Sequence, residues 1–457
     1  MEKLSIKNIC DITHGTIIQK GQVPWVQGAV IDSRKVHDGD LYIPIVGVKN
    51  DGHQFIESAV TNGASAVLID AGHLSFIKQA NDAGVIQVES TIEALKQIAC
   101  ANRRKCAAEV ISITGSSGKT TTKDIIASVL SVNYKTMKTQ GNFNNEFGIP
   151  QTLLQMTADD QMAVVEMGMS HRGEITRSIW EVLPHIAVIT NIGSAHLENL
   201  KTKQNTLLAK KEIFSTLGKN DVALINGDDS YLRGIHDEGY PIVRVGIEHD
   251  DLDLQARNVH TGQDGISFCV DHQEYRFGFP GIHNVYNCLM AIWIGRYYKM
   301  SASEIQKGFD VFIPSGNRMK TEDLLGVHLI DDSYNANPES MKAAMNTMGD
   351  LCIGRSGRKV AVLGDMMEIG MDSQKKHWEI GQYAAGKMDM IVAVGQHARA
   401  IAAGAREAKS EAIIFHVANA KEAAVLLKKE MKAEDTVLIK ASHGMELGKI
   451  VDILKED

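Results

Sequence analysis

Short β-branched apolar runs alternate along this chain with longer segments whose apolar residues recur at helical spacing, and changes in that rhythm divide it into three stretches. Up to about residue 105 the runs are short and broken by turn residues, and a helical segment from Thr91 to Arg104 closes the stretch. From Val110 the runs lengthen. Val110 to Thr114, Gln161 to Glu166, Ile186 to Thr190 and Val222 to Asn226 predict buried strands with helices between them, the order of a doubly wound sheet. Between Tyr240 and Pro280 the period shortens, as in Gly265 to Val270 and Glu274 to Phe279, which predicts an antiparallel addition to that sheet, closed by a helix from about His283. After Pro314-Ser315-Gly316-Asn317 the β/α alternation restarts at Val327 to Asp331, Lys359 to Leu363, Met390 to Val394 and Thr436 to Lys440, with a helical segment from Ala398 to Lys409. The expected fold is α/β in three domains. A small mixed α/β domain spans 1–105, a central P-loop mononucleotide-binding sheet 106–313, and a Rossmann-like domain without a G-x-G-x-x-G fingerprint 314–457.

Composition narrows the partners more than the fold. The net charge of −8, with Arg103-Arg104-Lys105 as a short basic cluster, argues against nucleic acid as a partner. Anionic substrates would need local compensation from Mg²⁺, lysines and helix N-termini. The N-terminus lacks a signal-peptide core and no apolar run approaches membrane-spanning length, so a cytoplasmic protein without membrane insertion is expected. Six scattered cysteines without a C-x-x-C pair fit reduced, mostly buried thiols better than a disulfide framework or a cysteine zinc site.

Chemistry concentrates at Thr114-Gly115-Ser116-Ser117-Gly118-Lys119-Thr120-Thr121, where a buried strand breaks at a small-residue loop that opens into a helix. Glycines let the backbone turn its N–H groups toward phosphate oxygens, Lys119 can reach the terminal phosphates, and the Thr120 hydroxyl can hold Mg²⁺. Only two residues separate Gly115 from Gly118, fewer than in the general P-loop pattern. A tight turn with an incidental lysine is the competing reading, and the order strand, Gly-Lys-Thr, helix weighs against it. Glu166 ends a hydrophobic strand where a P-loop protein usually offers an acid to Mg²⁺; a solvated strand-end glutamate is the alternative. His196 follows another strand and is open between a ligand and a structural role. Lys210 reads as a helix-surface lysine. In the first stretch, Ser33 and Arg34 are either ordinary loop residues or donors to an anionic ligand. No G-x-S-x-G, H-E-x-x-H or Asn-Lys-x-Asp motif offers another engine.

The shortened loop, together with Gly141-Asn142-Phe143-Asn144-Asn145, Glu166-Met167-Gly168, Asn191 to His196, Ala209-Lys210-Lys211-Glu212-Ile213-Phe214 and Gly281 to Asn287, resembles the Mur ligase family, ATP-dependent amide-bond-forming enzymes of peptidoglycan precursor synthesis. Asp331 to Met341 and Leu363 to Gly370 resemble the branch that adds D-alanyl-D-alanine to UDP-N-acetylmuramoyl-tripeptide, and the likeness runs over essentially the whole chain. It implies ATP and two Mg²⁺ ions, with Thr120, Glu166, His196 and a carbamylated Lys210 around the metals and Lys119 on the phosphates. It implies nucleotide contacts from Asn284, Asn287, Arg318 and Asp332, and substrate contacts from Asn142, Asn144, Asn335 and Asn337. The N-terminal block would hold the UDP-sugar, and the third domain would complete the site on closure of a monomer. Ala441-Ser442-His443-Gly444-Met445 departs from the family's Gly-Ser-Arg-x-Met, placing His443 where an arginine is expected. Sister Mur ligases and folylpolyglutamate synthases remain alternatives within the class; a P-loop NTPase switch or a nucleotide-sensing protein are alternatives outside it.

Overall fold

The structure, a computed structural model, describes residues 1–456 except Val48, Lys49, Asp237, Asn317 and Leu325. Asn317, part of the punctuation expected before the third stretch, therefore lies outside the described residues.

The first hundred residues build a five-stranded sheet in the order Thr16–Gln19, Gly84–Val88, Ala66–Asp70, Asp40–Tyr42, Gly28–Val30, parallel except for its first strand. Helix Thr91–Lys105 follows, capped by the Ser90 side chain on the Glu93 amide, with three basic residues in its last turn facing the helix dipole. It does not end a self-contained core. Asn102 Nδ2 donates to the Leu153 and Met156 carbonyls and Arg103 Nε to that of Val182, so one apolar cluster runs from Ile9, Leu41 and Leu68 through Ile98 to Leu153 and Ile179.

Seven strands, all parallel, form the central sheet in the order Leu254–Gln255, Ile242–Gly246, Val222–Asn226, Ile186–Ile189, Glu109–Thr114, Met162–Glu166, Thr136–Lys138. The period of two sorts its side chains: Val110 joins the cluster shared with the first hundred residues, while Ile111 and Ile113 face the opposite one. Chain order reverses at Glu109–Thr114, with the next strands on one side and the later ones on the other. That reversal leaves a crevice at the strand C-termini, where ligands of open α/β sheets bind.

The expected antiparallel addition is corrected. Ile242–Gly246 and Leu254–Gln255 extend the central sheet in parallel, whereas Arg257–Gly262, Gly265–Val270 and Gln273–Phe277 form a separate antiparallel sheet. Alternation along these strands puts Ile266, Phe268, Val270, Tyr275 and Phe277 into one core with helix His283–Tyr297 and strand residues Ile111 and Ile113. A face that packs on a helix reads from sequence like one that continues a sheet.

The last stretch makes a six-stranded sheet in the order Lys320–Leu324, Val327–Asp331, Thr436–Lys440, Lys359–Gly364, Met390–Val394, Ile413–Val417, parallel except at Lys320–Leu324. Helices cover both faces, giving two apolar clusters. Among the described residues no helix is long and apolar enough to cross a membrane.

Candidate active site

The phosphate-type loop leaves strand Glu109–Thr114 at the central sheet's crevice, and helix Lys119–Leu130 begins immediately after it, four residues before the sequence pattern suggests. Gly118 caps that helix with φ +78°, a conformation that glycine adopts without a Cβ penalty. Gly115 is required by close approach: a Cβ there would stand 1.8 Å from Thr190 Oγ1.

The segment after strand Ile186–Ile189 straps the loop in place. Asn191 accepts from the Ser116 amide through its carbonyl (3.1 Å) and from the Ser117 amide through Oδ1 (3.0 Å). Thr190 Oγ1 donates to the Ser117 carbonyl at 2.6 Å, and the Gly193 amide to Ser116 Oγ at 2.8 Å. These bonds brace a small-residue loop from the segment that follows the neighbouring strand. The expected motif from Asn191 onward is thus first a brace.

Two ammonium groups meet at one carbonyl. Lys119 Nζ lies 2.8 Å and Lys210 Nζ 2.9 Å from the Gly115 oxygen. Burial lowers both pKa values, Lys210 well below the usual lysine range, and the neighbouring Lys119 charge lowers it further. Charge on either amine is under-compensated beside a neutral oxygen, and a polyanion at the loop would relieve it.

Beside them, Thr120 Oγ1 donates to Glu166 Oε2 at 2.7 Å, and Asn144 Nδ2 to Glu166 Oε1 at 2.8 Å. Glu166 is 1 % exposed and its own amide donates to Thr139 Oγ1. A hydroxyl and a buried carboxylate in contact, with an amide orienting the far oxygen, make a donor set that fits a hard divalent cation. Asn144 therefore bears on the acid; Asn142 next to it is exposed at the loop surface. His196, at φ +59°, is turned elsewhere: its Nδ1 stands 2.5 Å from Glu368 Oε2, off the line of a good hydrogen bond. The close approach of the His196 ring holds the Glu368 carboxyl below its ordinary range.

Helix His283–Tyr297 brings Asn287 to the loop. Asn287 Oδ1 accepts from Thr122 Oγ1 (3.0 Å), its Nδ2 donates to Asn284 Oδ1 (3.1 Å), and Asn284 in turn donates to the Pro280 carbonyl. From the last stretch, the Arg318 guanidinium covers the Tyr334 ring at 4.2 Å, and His443 lies 5.6 Å from the same ring. Asp332 accepts from Lys440 Nζ at 2.5 Å. Asn335 Oδ1 accepts from the Ala336 amide, while Asn337 caps helix Pro338–Leu351 and reaches the Ser116 carbonyl at 3.5 Å. Glu339, in that helix's first turn, accepts from the Ser194 amide (3.2 Å), Ser194 Oγ (2.8 Å) and Lys203 Nζ (3.1 Å). No sequence pattern marked Glu339, since a first-turn acid after Asn-Pro is ordinary capping chemistry. In the first stretch, Ser33 is buried and its carbonyl accepts from Asn62, and Arg34 pairs with Asp32 at 2.9 Å on the surface.

A braced, phosphate-cradling loop at the reversal point of a parallel sheet, with paired lysines and a hydroxyl–carboxylate couple, defines a P-loop nucleotide-binding protein. Three Mur ligase family models match the chain: "Mur ligase family, catalytic domain" over residues 26–103, "Mur ligase middle domain" over 113–295 and "Mur ligase, glutamate ligase domain" over 317–443. The UDP-N-acetylmuramoyl-tripeptide--D-alanyl-D-alanine ligase of Bacillus subtilis is 36% identical, with 100% of this chain and 99% of that protein covered. Its counterpart in Treponema pallidum is 32% identical, with 99% of each covered. Among solved structures, MurF from Acinetobacter baumannii superposes with a TM-score of 0.88 at 29% identity over 100% of both chains. MurF ligase from Thermotoga maritima in complex with ADP gives 0.81 at 26% identity, covering 94% of this chain and 97% of that one. The chain belongs to the Mur ligase family.

Proposed function

We propose that this chain is an ATP-dependent ligase that joins D-alanyl-D-alanine to UDP-N-acetylmuramoyl-tripeptide, giving the pentapeptide, ADP and phosphate in peptidoglycan precursor synthesis. The full-length likeness to relatives bearing that name supports the substrates. The observation that carries the chemistry is the convergence of Lys119 and Lys210 on the Gly115 carbonyl, beside the Thr120–Glu166 couple.

A carboxylate resists an amine because its oxygen leaves poorly and its charge repels the nucleophile. Transfer of the ATP γ-phosphoryl group to the tripeptide's terminal carboxylate removes both obstacles, giving an acyl phosphate that the amine of D-alanyl-D-alanine attacks with departure of phosphate. Lys119 and the loop amides stabilise charge on the phosphoryl oxygens during transfer. Thr120 and Glu166 would hold Mg²⁺, which supplies charge neutralisation at the phosphates when bound. A second ion would be held by His196, once turned from Glu368, and by Lys210 only as a carbamate, while Asn284, Asn287, Arg318 and Asp332 serve the nucleotide. Asn142, Asn144, Asn335 and Asn337 serve the peptide end, Ser33 and Arg34 the UDP end. The working units are 1–105, 106–313 and 314–457, acting as a cytoplasmic monomer.

The carbamate on Lys210 is supported by its burial, because a lowered pKa yields the neutral amine that adds CO₂. The bond from Nζ to Gly115 opposes it by using the amine as it stands. A carbamate carbon signal in ¹³CO₂-labelled protein that is lost in Lys210→Arg supports modification; its absence leaves Lys210 as a phosphate donor beside Lys119.

Phosphate release measured with UDP-linked tripeptides, with and without D-alanyl-D-alanine, tests the whole reading. Release that requires the dipeptide, with oxygen-18 passing from the tripeptide carboxylate into phosphate, is expected. Full-rate hydrolysis without dipeptide would instead support an NTPase switch.

A further inference from the structure

The sheet of the first hundred residues carries a compact cluster to which the proposed function gives no role. Asp51 and His53 flank the start of the turn Gly52–Phe55, Asp70 ends strand Ala66–Asp70, and His73 lies in the turn after it. The two imidazole rings stack at 3.9 Å with 3° between their planes. Asp51 spans one edge of the stack, with Oδ1 2.8 Å from His53 Nδ1 and Oδ2 3.0 Å from His73 Nε2. Asp70 spans the other, with Oδ1 2.6 Å from His73 Nδ1 and Oδ2 3.8 Å from His53 Nε2. Donor atoms of Asp51, His53 and His73 all lie within 4.8 Å of one another.

One atom in this cluster is unaccounted for. His53 is 0% exposed, and its Nε2 has no hydrogen-bond partner. With the Nδ1 proton on Asp51, Nε2 turns a lone pair toward the Asp70 carboxylate, acceptor against acceptor, which is costly in a buried site. A cation between Asp51 and the rings reverses this arrangement. It takes the lone pairs of His53 Nδ1 and His73 Nε2, leaving the protons on the opposite edge, where both face Asp70. Asp70 then completes two carboxylate–histidine–metal relays. The charges agree: the two carboxylates, Asp51 and Asp70, bring a double negative charge that a divalent ion cancels.

We propose that Asp51, His53 and His73 form a transition-metal site, supported by Asp70, that ties the turn Gly52–Phe55 to the end of strand Ala66–Asp70. Two imidazoles and one carboxylate select Zn²⁺ or a similar first-row ion over Mg²⁺, with water in the fourth position. Donors around such an ion sit about 3.3 Å apart, so entry widens the Asp51 contacts by a few tenths of an ångström and tilts the rings out of parallel.

The test is calorimetric titration of the chelator-treated full-length protein with Zn²⁺, and visible absorption on titration with Co²⁺. One ion per chain is expected, undisturbed by excess Mg²⁺. His73→Phe keeps the ring stack while removing both nitrogens, and should abolish uptake; Asp70→Asn should weaken it by about 10- to 100-fold. Should His73→Phe fail to fold, the Asp70→Asn affinity and an X-ray absorption count of two imidazoles on the bound ion decide the matter. Absence of Zn²⁺ uptake, uptake unchanged in either variant, or sulfur in the coordination shell overturns the site.

Discussion

Lys119 and Lys210 show how little a residue's type says about its burden. Each carries a charge that its surroundings disfavour, and each points at the same carbonyl. Lys119→Ala should leave thermal unfolding near wild type while lowering ligation by about 10²- to 10³-fold, the usual cost of losing one donor to a developing charge. Near-wild-type phosphate release would sink that role. Lys210 makes the sign of the pH effect explicit. Its folded pKa lies below that of the unfolded chain, so the unfolded state binds more protons between those two values, and stability rises with pH across that window. Lys210→Met should remove this slope in melts of the ligand-free protein and stabilise it at neutral pH, while abolishing ligation. At this scale the loop was legible, because a glycine-hinged Gly-Lys-Thr turn between strand and helix has one dominant use. Lys210 was legible only through family likeness, since lysine in the last turn of a helix is ordinary dipole chemistry.

Period marks the buried central strands of the two large sheets, Glu109–Thr114, Met162–Glu166, Ile186–Ile189 and Val222–Asn226 in one and Val327–Asp331, Lys359–Gly364, Met390–Val394 and Thr436–Lys440 in the other, but not the strands toward their edges. Ile413–Val417 escaped notice because it is an edge strand, half exposed and without a fully apolar run. Two of the three antiparallel strands, Gly265–Val270 and Gln273–Phe277, are legible from alternation, but not the sheet they join, since alternation reports that one face is buried and says nothing of what buries it. Helix Glu174–Val182 offers a test at this level. It packs in the cluster shared with helix Thr91–Lys105, and Glu181 lies on its buried side with Oε2 unpaired; burial pushes that carboxyl up to about 7. A raised carboxyl pKa means that the folded state holds a proton the unfolded chain has released, so stability falls as pH rises from the ordinary glutamate range toward 7. Relative to Glu181→Gln, wild type should lose about 2 kcal/mol across that range. Parallel denaturation curves at acid and mildly alkaline pH would contradict it.

Across the whole molecule, the last stretch grips the central one at the loop's brace. Glu339 holds Ser194 and Lys203, Glu368 meets His196, and Asn337 touches the Ser116 carbonyl. Burial pushes the Glu339 carboxyl up, but Lys203 and the hydrogen bonds outweigh it and hold the group below its ordinary range. Since Ser194 continues the segment that braces the loop, the docked position and the loop's shape are linked through adjacent residues. Glu339→Ala should raise KM for ATP by about tenfold, about 1.4 kcal/mol, with a smaller effect on kcat. It should also reduce the compaction seen by X-ray scattering when a non-hydrolysable ATP analogue is added. Equal compaction with unchanged KM would remove Glu339 from the coupling.

The sequence by itself determined the α/β class, the strand and helix order, and the phosphate loop, because these follow from local periodicity and from backbone freedom at a few glycines. Tertiary structure alone decided which face the antiparallel strands cover, that helix Thr91–Lys105 packs against the central part, and that Lys210, Asn144 and Glu339 reach their partners. It also decided that Asp51, His53, Asp70 and His73 form one cluster. The physical reason is range: propensity and pattern act over a few residues, whereas contacts between residues 22 to 145 positions apart exist only once buried surfaces have chosen their neighbours.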